Sequence, residues 1–154
     1  LFPDATVHIQ REEYEYYTGP AWREGGSHGG IDEEDILALV RRNMAGKVVL
    51  VDGDDAAILP GIRGYTGARH TYASQYLLVQ GDEPVVLASD NCYLFRNLET
   101  RTGSATFRPE DRPGNEAALE RMPRLAGSPD RVVPGHDPLM FERFPTSGRV
   151  ARIR

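Results

Sequence analysis

A single cysteine, Cys92, in 154 residues excludes an internal disulfide and fits a reducing compartment, so the expected location is cytoplasmic. No apolar run approaches the roughly 18 residues of a membrane span, and no signal peptide is visible. Basic residues are in deficit. Eighteen Lys and Arg against 23 Asp and Glu leave a net charge of −5, which argues against a general affinity for nucleic acid or anionic membranes. The four histidines, His8, His28, His70 and His136, stand singly and form no cluster. Internal repeats and low-complexity segments are absent too. So is an initiator methionine: the chain opens Leu1-Phe2-Pro3-Asp4, and the expectation is a removed leader or the later part of a longer polypeptide.

What remains is one domain's worth of chain, 40% hydrophobic and 27% charged, within the soluble globular range. Residues 6–10 (Thr-Val-His-Ile-Gln) read as a short strand with His8 on its polar face. Residues 12–17 start a helix that Gly19-Pro20 stops. Tyr14, Tyr16, Tyr17 and Trp22 crowd the approach to a Gly-rich loop, either anchoring it to the core or forming an aromatic wall of a substrate pocket. His28 lies among glycines, a poor mount for a ligand. The clearest helix is 32–44, with an apolar stripe of Ile36, Leu37, Leu39, Val40 and Met44, acids first and arginines last. Runs 47–51 and 56–59, split by Asp52-Gly53-Asp54-Asp55, predict a hairpin with a solvated acidic turn whose spacing is not that of an EF-hand. Residues 97–115 read as a polar crossover, and 115–125 as an amphipathic helix kinked or shortened by Pro123. Residues 131–133 are a further strand, and 140–144 and 150–153 close the chain. Alternating strands and helices predict an α/β layered domain.

The chemistry concentrates at strand ends. A Gly-rich turn over residues 60–70 delivers His70, strands 72–79 and 85–88 follow, and the second ends on Asp90. Val132-Val133-Pro134-Gly135-His136-Asp137 repeats the device with His136. Two imidazoles and a carboxylate at one sheet edge suit zinc, and also iron or manganese. Taken singly, each residue has a capping or surface role open to it as well.

Gly64-Tyr65-Thr66-Gly67-Ala68-Arg69-His70 resembles the Gly-His-Thr-Pro-Gly-His turn of the metallo-β-lactamase superfamily, in its N-acyl homoserine lactonase branch. Ser89-Asp90-Asn91-Cys92-Tyr93 is similar to the segment carrying that family's bridging aspartate and a tyrosine three residues on. Pro134-Gly135-His136-Asp137 resembles its last histidine motif, and residues 1–13 the strand after its first metal motif. The resemblance implies the C-terminal half of an αββα sandwich over residues 1–154. It implies two divalent metals, zinc before iron or manganese, with His70 on one, His136 on the other and Asp90 bridging. It implies Tyr93 as the catalytic phenol, with Tyr17 and Trp22 offered as substrate-binding. The implied reaction is opening of a lactone ester by water activated between the metals.

Two departures bear on this. Tyr65 stands where the family often has histidine, in a turn one residue longer. More seriously, the family's His-x-His-x-Asp-His cluster is absent, and three ligands divided between two metals cannot complete a dinuclear site. The chain alone is therefore expected to be inactive. The expected partners are a small lactone or ester, an N-terminal part of the same protein supplying the other ligands, and a second copy if the protein is a homodimer; neither nucleic acid nor membrane is among them. Thioester, β-lactam or phosphoester hydrolysis, or a non-catalytic interaction domain, are the alternative readings. Cys92 is expected to pack rather than react.

Overall fold

Val7, Ile9 and the flanking β-prone residues build strand β1, Val7–Gln10, and helix α1, Arg11–Tyr17, follows it directly. The computed structural model describes residues 2–67, 69–104 and 108–153. Leu1, Arg154, Ala68 of the expected Gly-rich turn and residues 105–107 of the expected crossover lie outside the described residues. Asp32 caps helix α2, Glu33–Met44, by accepting a hydrogen bond from the Glu34 amide, and acidic residues fill its first turn as the helix dipole favours. Its apolar stripe is only partly covered: no residue of α2 is fully buried, and Met44 is 84% exposed.

Strand β2, Val48–Val51, departs from expectation. It pairs in parallel with β1, not as a hairpin with β3, Ala56–Leu59. The side chain of Gln10, itself buried, explains the difference. Its oxygen accepts from the Gly53 amide at 3.0 Å, and its nitrogen donates to the Gly53 carbonyl at 3.3 Å. The Asp-Gly turn is thereby held by β1, and the chain leaves it to enter a different sheet.

That second sheet has five strands in the order β3-β4-β5-β6-β7. β4, Ile62–Thr66, occupies much of what the sequence presents as a Gly-rich turn; it folds back on β3 through Gly61, whose φ of 78° suits glycine. β5, Gln75–Val79, and β6, Val85–Ser89, continue the antiparallel meander, and β7, Val132–Pro134, adds in parallel to β6. Between β6 and β7 lie two helices, α3, Phe95–Thr100, and α4, Arg112–Ala126, where the sequence predicts one. Pro113 falls in the first turn of α4, where its missing N–H costs nothing. Pro123 does not end α4, because Ala118, Leu119, Met122 and Ala126 bury one continuous face against Tyr76, Val86, Ala88 and Val132 of the sheet. A short helix α5, Met140–Arg143, and a two-residue hairpin of β8, Thr146–Ser147, and β9, Val150–Ala151, close the chain.

Arg121 of α4 stitches this layer together. It donates to the Tyr76 hydroxyl and to Asp54, both at 2.6 Å, and to the Thr66 carbonyl. Burial alone raises the pKa of Asp54, but hydrogen bonds from Thr66 and Arg121 outweigh it and hold the carboxyl below its ordinary 3.8. A depressed carboxylate contributes stability that is complete above its unfolded pKa and is lost as pH falls through the folded value. Arg121→Met is therefore expected to cost about 2 kcal/mol at neutral pH. Denaturant titrations across pH check this: the gap to the native protein should hold above 3.8 and narrow below it. A gap independent of pH would mean that Asp54 is not the partner that matters.

Candidate metal centre at the strand ends

Helix α1 and the turn before β5 set the first side chain. Glu13 of α1 accepts a hydrogen bond from the Ala73 amide, and Gly67 N donates to Ser74 O at 2.8 Å, so the excursion carrying His70 is closed at its base. At the end of β6, Ser89 takes a left-handed φ of 48°, rare for a residue with a side chain, and this turns the chain so that Asp90 leaves the strand edge. Amides of Asn91 and Cys92 then close back on Ala88 O and Ser89 O. Beyond β7, Gly135 N donates to Cys92 O at 2.9 Å and His136 N to Tyr93 O at 3.0 Å, which lays the His136 turn along the 92–93 segment. Gly135 is needed for that approach, since a Cβ there would stand 2.7 Å from Ser89 O. Asp137, buried, accepts from the amides of Phe95 and Leu139 and fixes the far side of the turn.

These supports bring His70, Asp90 and His136 together. His70 Nε2 lies 3.0 Å from one oxygen of Asp90, and His136 Nε2 lies 2.8 Å from the other. All three remain open to solvent, with side-chain exposures of 24%, 41% and 54%. Tyr93 stands between the imidazoles. Its hydroxyl is 3.4 Å from His70 Nδ1, its ring meets His70 edge-on at 5.6 Å, and it tilts against His136 at 4.6 Å.

For a divalent cation the donor set fits in kind: borderline nitrogen and oxygen ligands, with a carboxylate offering one oxygen toward each imidazole. It falls short in number. Among the described residues, no group of three or more His, Cys, Asp or Glu side chains is arranged to hold a metal ion as it stands, and the two histidines instead contact Asp90.

Tyr17, buried, lines a cavity of about 480 Å³ that reaches His70. Burial, reinforced by Glu13, pushes its phenol pKa upward, so it is a neutral wall. Trp22 lies apart from that cavity. It lines a separate groove with Ile36, Leu37 and Val40 of α2, donates from its indole nitrogen to Tyr17 O at 2.5 Å, and stacks on His28 at 4.4 Å. Cys92 is 2% exposed in the core, and burial pushes its thiol up to about 12, with the Asp137 charge adding to the rise. It packs and does not react. His8 is half-buried on β1, and its Nδ1 has no hydrogen-bond partner.

Several supporting residues escape a sequence reading. Asn91 and Asn115 are both buried; Asn115 donates to Asn91 O at 2.8 Å, Asn91 donates to Gln75 O at 3.1 Å, and Ser74 Oγ donates to Asn91 at 2.8 Å. This network holds the segment next to Asp90, and its only trace in the sequence is the small Gly67 beside it. Arg69, Tyr72 and Arg108 line the cavity beyond His70 and carry no motif at all.

The mixed sheet, the helices on it and the strand-end histidines define a metallo-β-lactamase-like fold. Solved structures that share it are N-acyl homoserine lactone hydrolases. A quorum-quenching one aligns over 92% of this chain and 52% of its own, at a TM-score of 0.65 and 21% identity. Another, with the product N-hexanoyl-L-homoserine at its catalytic metal centre, aligns over 86% of this chain and 47% of its own, at 0.62 and 21%. A mutant AiiA of B. thuringiensis, with N-decanoyl-L-homoserine at its active site, aligns over 89% and 49%, at 0.64 and 21%. This chain thus spans about half the length of the structures it matches. No family model and no curated protein matches it.

Proposed function

We propose that this chain carries one side of a dinuclear lactonase-type hydrolase site, completed by an N-terminal part of the same protein. The observation that supports it most is Asp90, whose two oxygens each meet the Nε2 of a histidine from a different strand end. In this reading His70 holds one metal, His136 the other, and Asp90 is shared between them. The metals, when bound, supply acidified water near neutral pH and polarise an ester carbonyl. Tyr93 orients His70 through Nδ1 in the resting site and turns its phenol toward the developing charge on the substrate carbonyl oxygen. Tyr17 closes the floor of the substrate cavity.

The need for more chain is supported by the β1–β2 pair. Parallel sheets are ordinarily larger and covered on both faces, whereas this one has two strands and leaves Val49 42% exposed. The half-covered stripe of α2 points the same way.

The test is metal analysis and ring-opening of N-acyl homoserine lactones by the full-length protein. About two metals per protein with turnover are expected, and Tyr93→Phe should lower kcat by roughly a hundredfold while keeping both metals. Loss of metal in that variant would mean that the tyrosine acts as a structural brace and not on the substrate. A full-length protein with no metal and no ester hydrolysis would leave an interaction domain as the reading.

A further inference from the structure

We propose that the cavity beside His70 receives a carboxylate on the part of the substrate remote from the scissile ester, held by Arg69 and Arg108. This rests on the hydrolase reading above for the position of the reacting ester. The rings of Tyr16 and Tyr72 stack at 3.8 Å, 7° from parallel, and the Arg69 guanidinium carbon lies 4.7 Å over the other face of Tyr72. A three-layer stack fixes the plane of a guanidinium one residue from His70. Across the cavity, Arg108 Nη2 donates to Ser27 Oγ at 2.9 Å, and the Ser27 amide donates to the Tyr16 hydroxyl at 2.9 Å. Both cations are thus anchored by neutral groups.

Neither has a carboxylate within ion-pair distance among the described residues. Arg121 is a useful contrast. It too lies over tyrosine rings, but its charge is met by Asp54 at 2.6 Å. The donors of Arg69 and Arg108 face a cavity instead, and a guanidinium fork matches a carboxylate in geometry as well as charge.

Glu110 and Asp111 line the same cavity, so it favours a single anionic group over a polyanion. The hexanoyl and decanoyl groups carried by the solved relatives end in methyl, and burying an alkyl tail against two guanidinium groups would strip their hydration without return. The expected substrate therefore has the same ester and a different tail.

Calorimetric titration of the metal-free full-length protein tests this with N-hexanoyl and N-adipoyl homoserine lactone, which match in length and differ by a terminal carboxylate. The adipoyl compound should bind about tenfold more tightly at low salt, and salt should erode the preference. Arg69→Gln or Arg108→Gln should each cut that preference roughly tenfold, with the variants' melting temperatures confirming folding; Arg69→Lys, which keeps the charge but loses the fork, should retain part of it. A native protein that prefers the hexanoyl compound, or a folded double variant that keeps the adipoyl preference, would overturn the subsite. Turnover by the metal-loaded protein is read separately. Hydrolysis of both lactones without preference defeats only the subsite, and carboxylate-selective binding without hydrolysis defeats only the lactonase reading.

Discussion

Asp90→Asn is expected to leave the fold intact and to remove metal binding and hydrolysis together. The amide keeps the shape of the carboxylate but exchanges one acceptor oxygen for a donor and removes the charge. One of the two histidines then loses its acceptor, and the group can no longer be shared between two cations. Outer-shell substitutions in metal sites already cost roughly 10–100-fold in affinity, so loss of a shared ligand should exceed about 100-fold, with turnover falling in step. Stability should change little. The ion pairs lost are partly exposed and are worth about 0–1 kcal/mol, a shift of only a few degrees in Tm. Metal analysis, a melt and a lactone assay on the full-length variant separate these effects. Two metals and undiminished turnover would remove Asp90 from the site, and with it the reading of His70 and His136.

The position of that site was open to a sequence reading because its ligands follow strands made of unmistakable β residues. Val85-Val86-Leu87-Ala88 and Val132-Val133 are too apolar to be anything but buried, and the residues that follow them must emerge at an edge. Their parallel pairing, which carries Asp90 and His136 to the same end, is a tertiary fact that local pattern does not contain. The misread hairpin at Asp52-Gly53 has the same origin. Its turn chemistry is correct, yet the Gln10 side chain claims the turn from a distance of 43 residues in the chain. β4 was missed because Gly61, Gly64 and Gly67 dilute its signal, although Tyr65 and Gly64 are buried within it. The substrate cavity was the least legible part. Tyr17 belongs to it and Trp22 does not, and Arg69 and Arg108 meet there only because the 27–29 loop folds across Tyr16. Nothing in the order of residues distinguishes those two arginines from the others.

Gly67→Ala is expected to give the largest loss of stability of any single methyl addition near the site. Gly67 does not have a left-handed backbone, so conformational freedom is not the reason. Space is: an added Cβ would stand 1.7 Å from Asn91 Oδ1 and 2.2 Å from its Cγ. Asn91 cannot swing aside cheaply, because it is 1% exposed and its amide is tied to Ser74 Oγ and Gln75 O. Relief requires either breaking that buried network or displacing the turn that carries His70. Overpacking costs about 1–3 kcal/mol and an orphaned buried polar group a similar amount, so the sum is about 3 kcal/mol, or roughly 10 °C in Tm. The double variant Gly67→Ala/Asn91→Ala makes the argument specific. With the Asn91 side chain trimmed to Cβ the clash is gone, and the double variant should be no less stable than Asn91→Ala alone, a strong departure from additivity. Melting curves of the three proteins decide it: strictly additive losses would place the cost of the alanine somewhere other than Asn91. Because Asn91 adjoins Asp90, the single Gly67→Ala protein should also bind metal more weakly even at temperatures where it remains folded, whereas a purely global destabilisation would leave the affinity of the folded fraction unchanged.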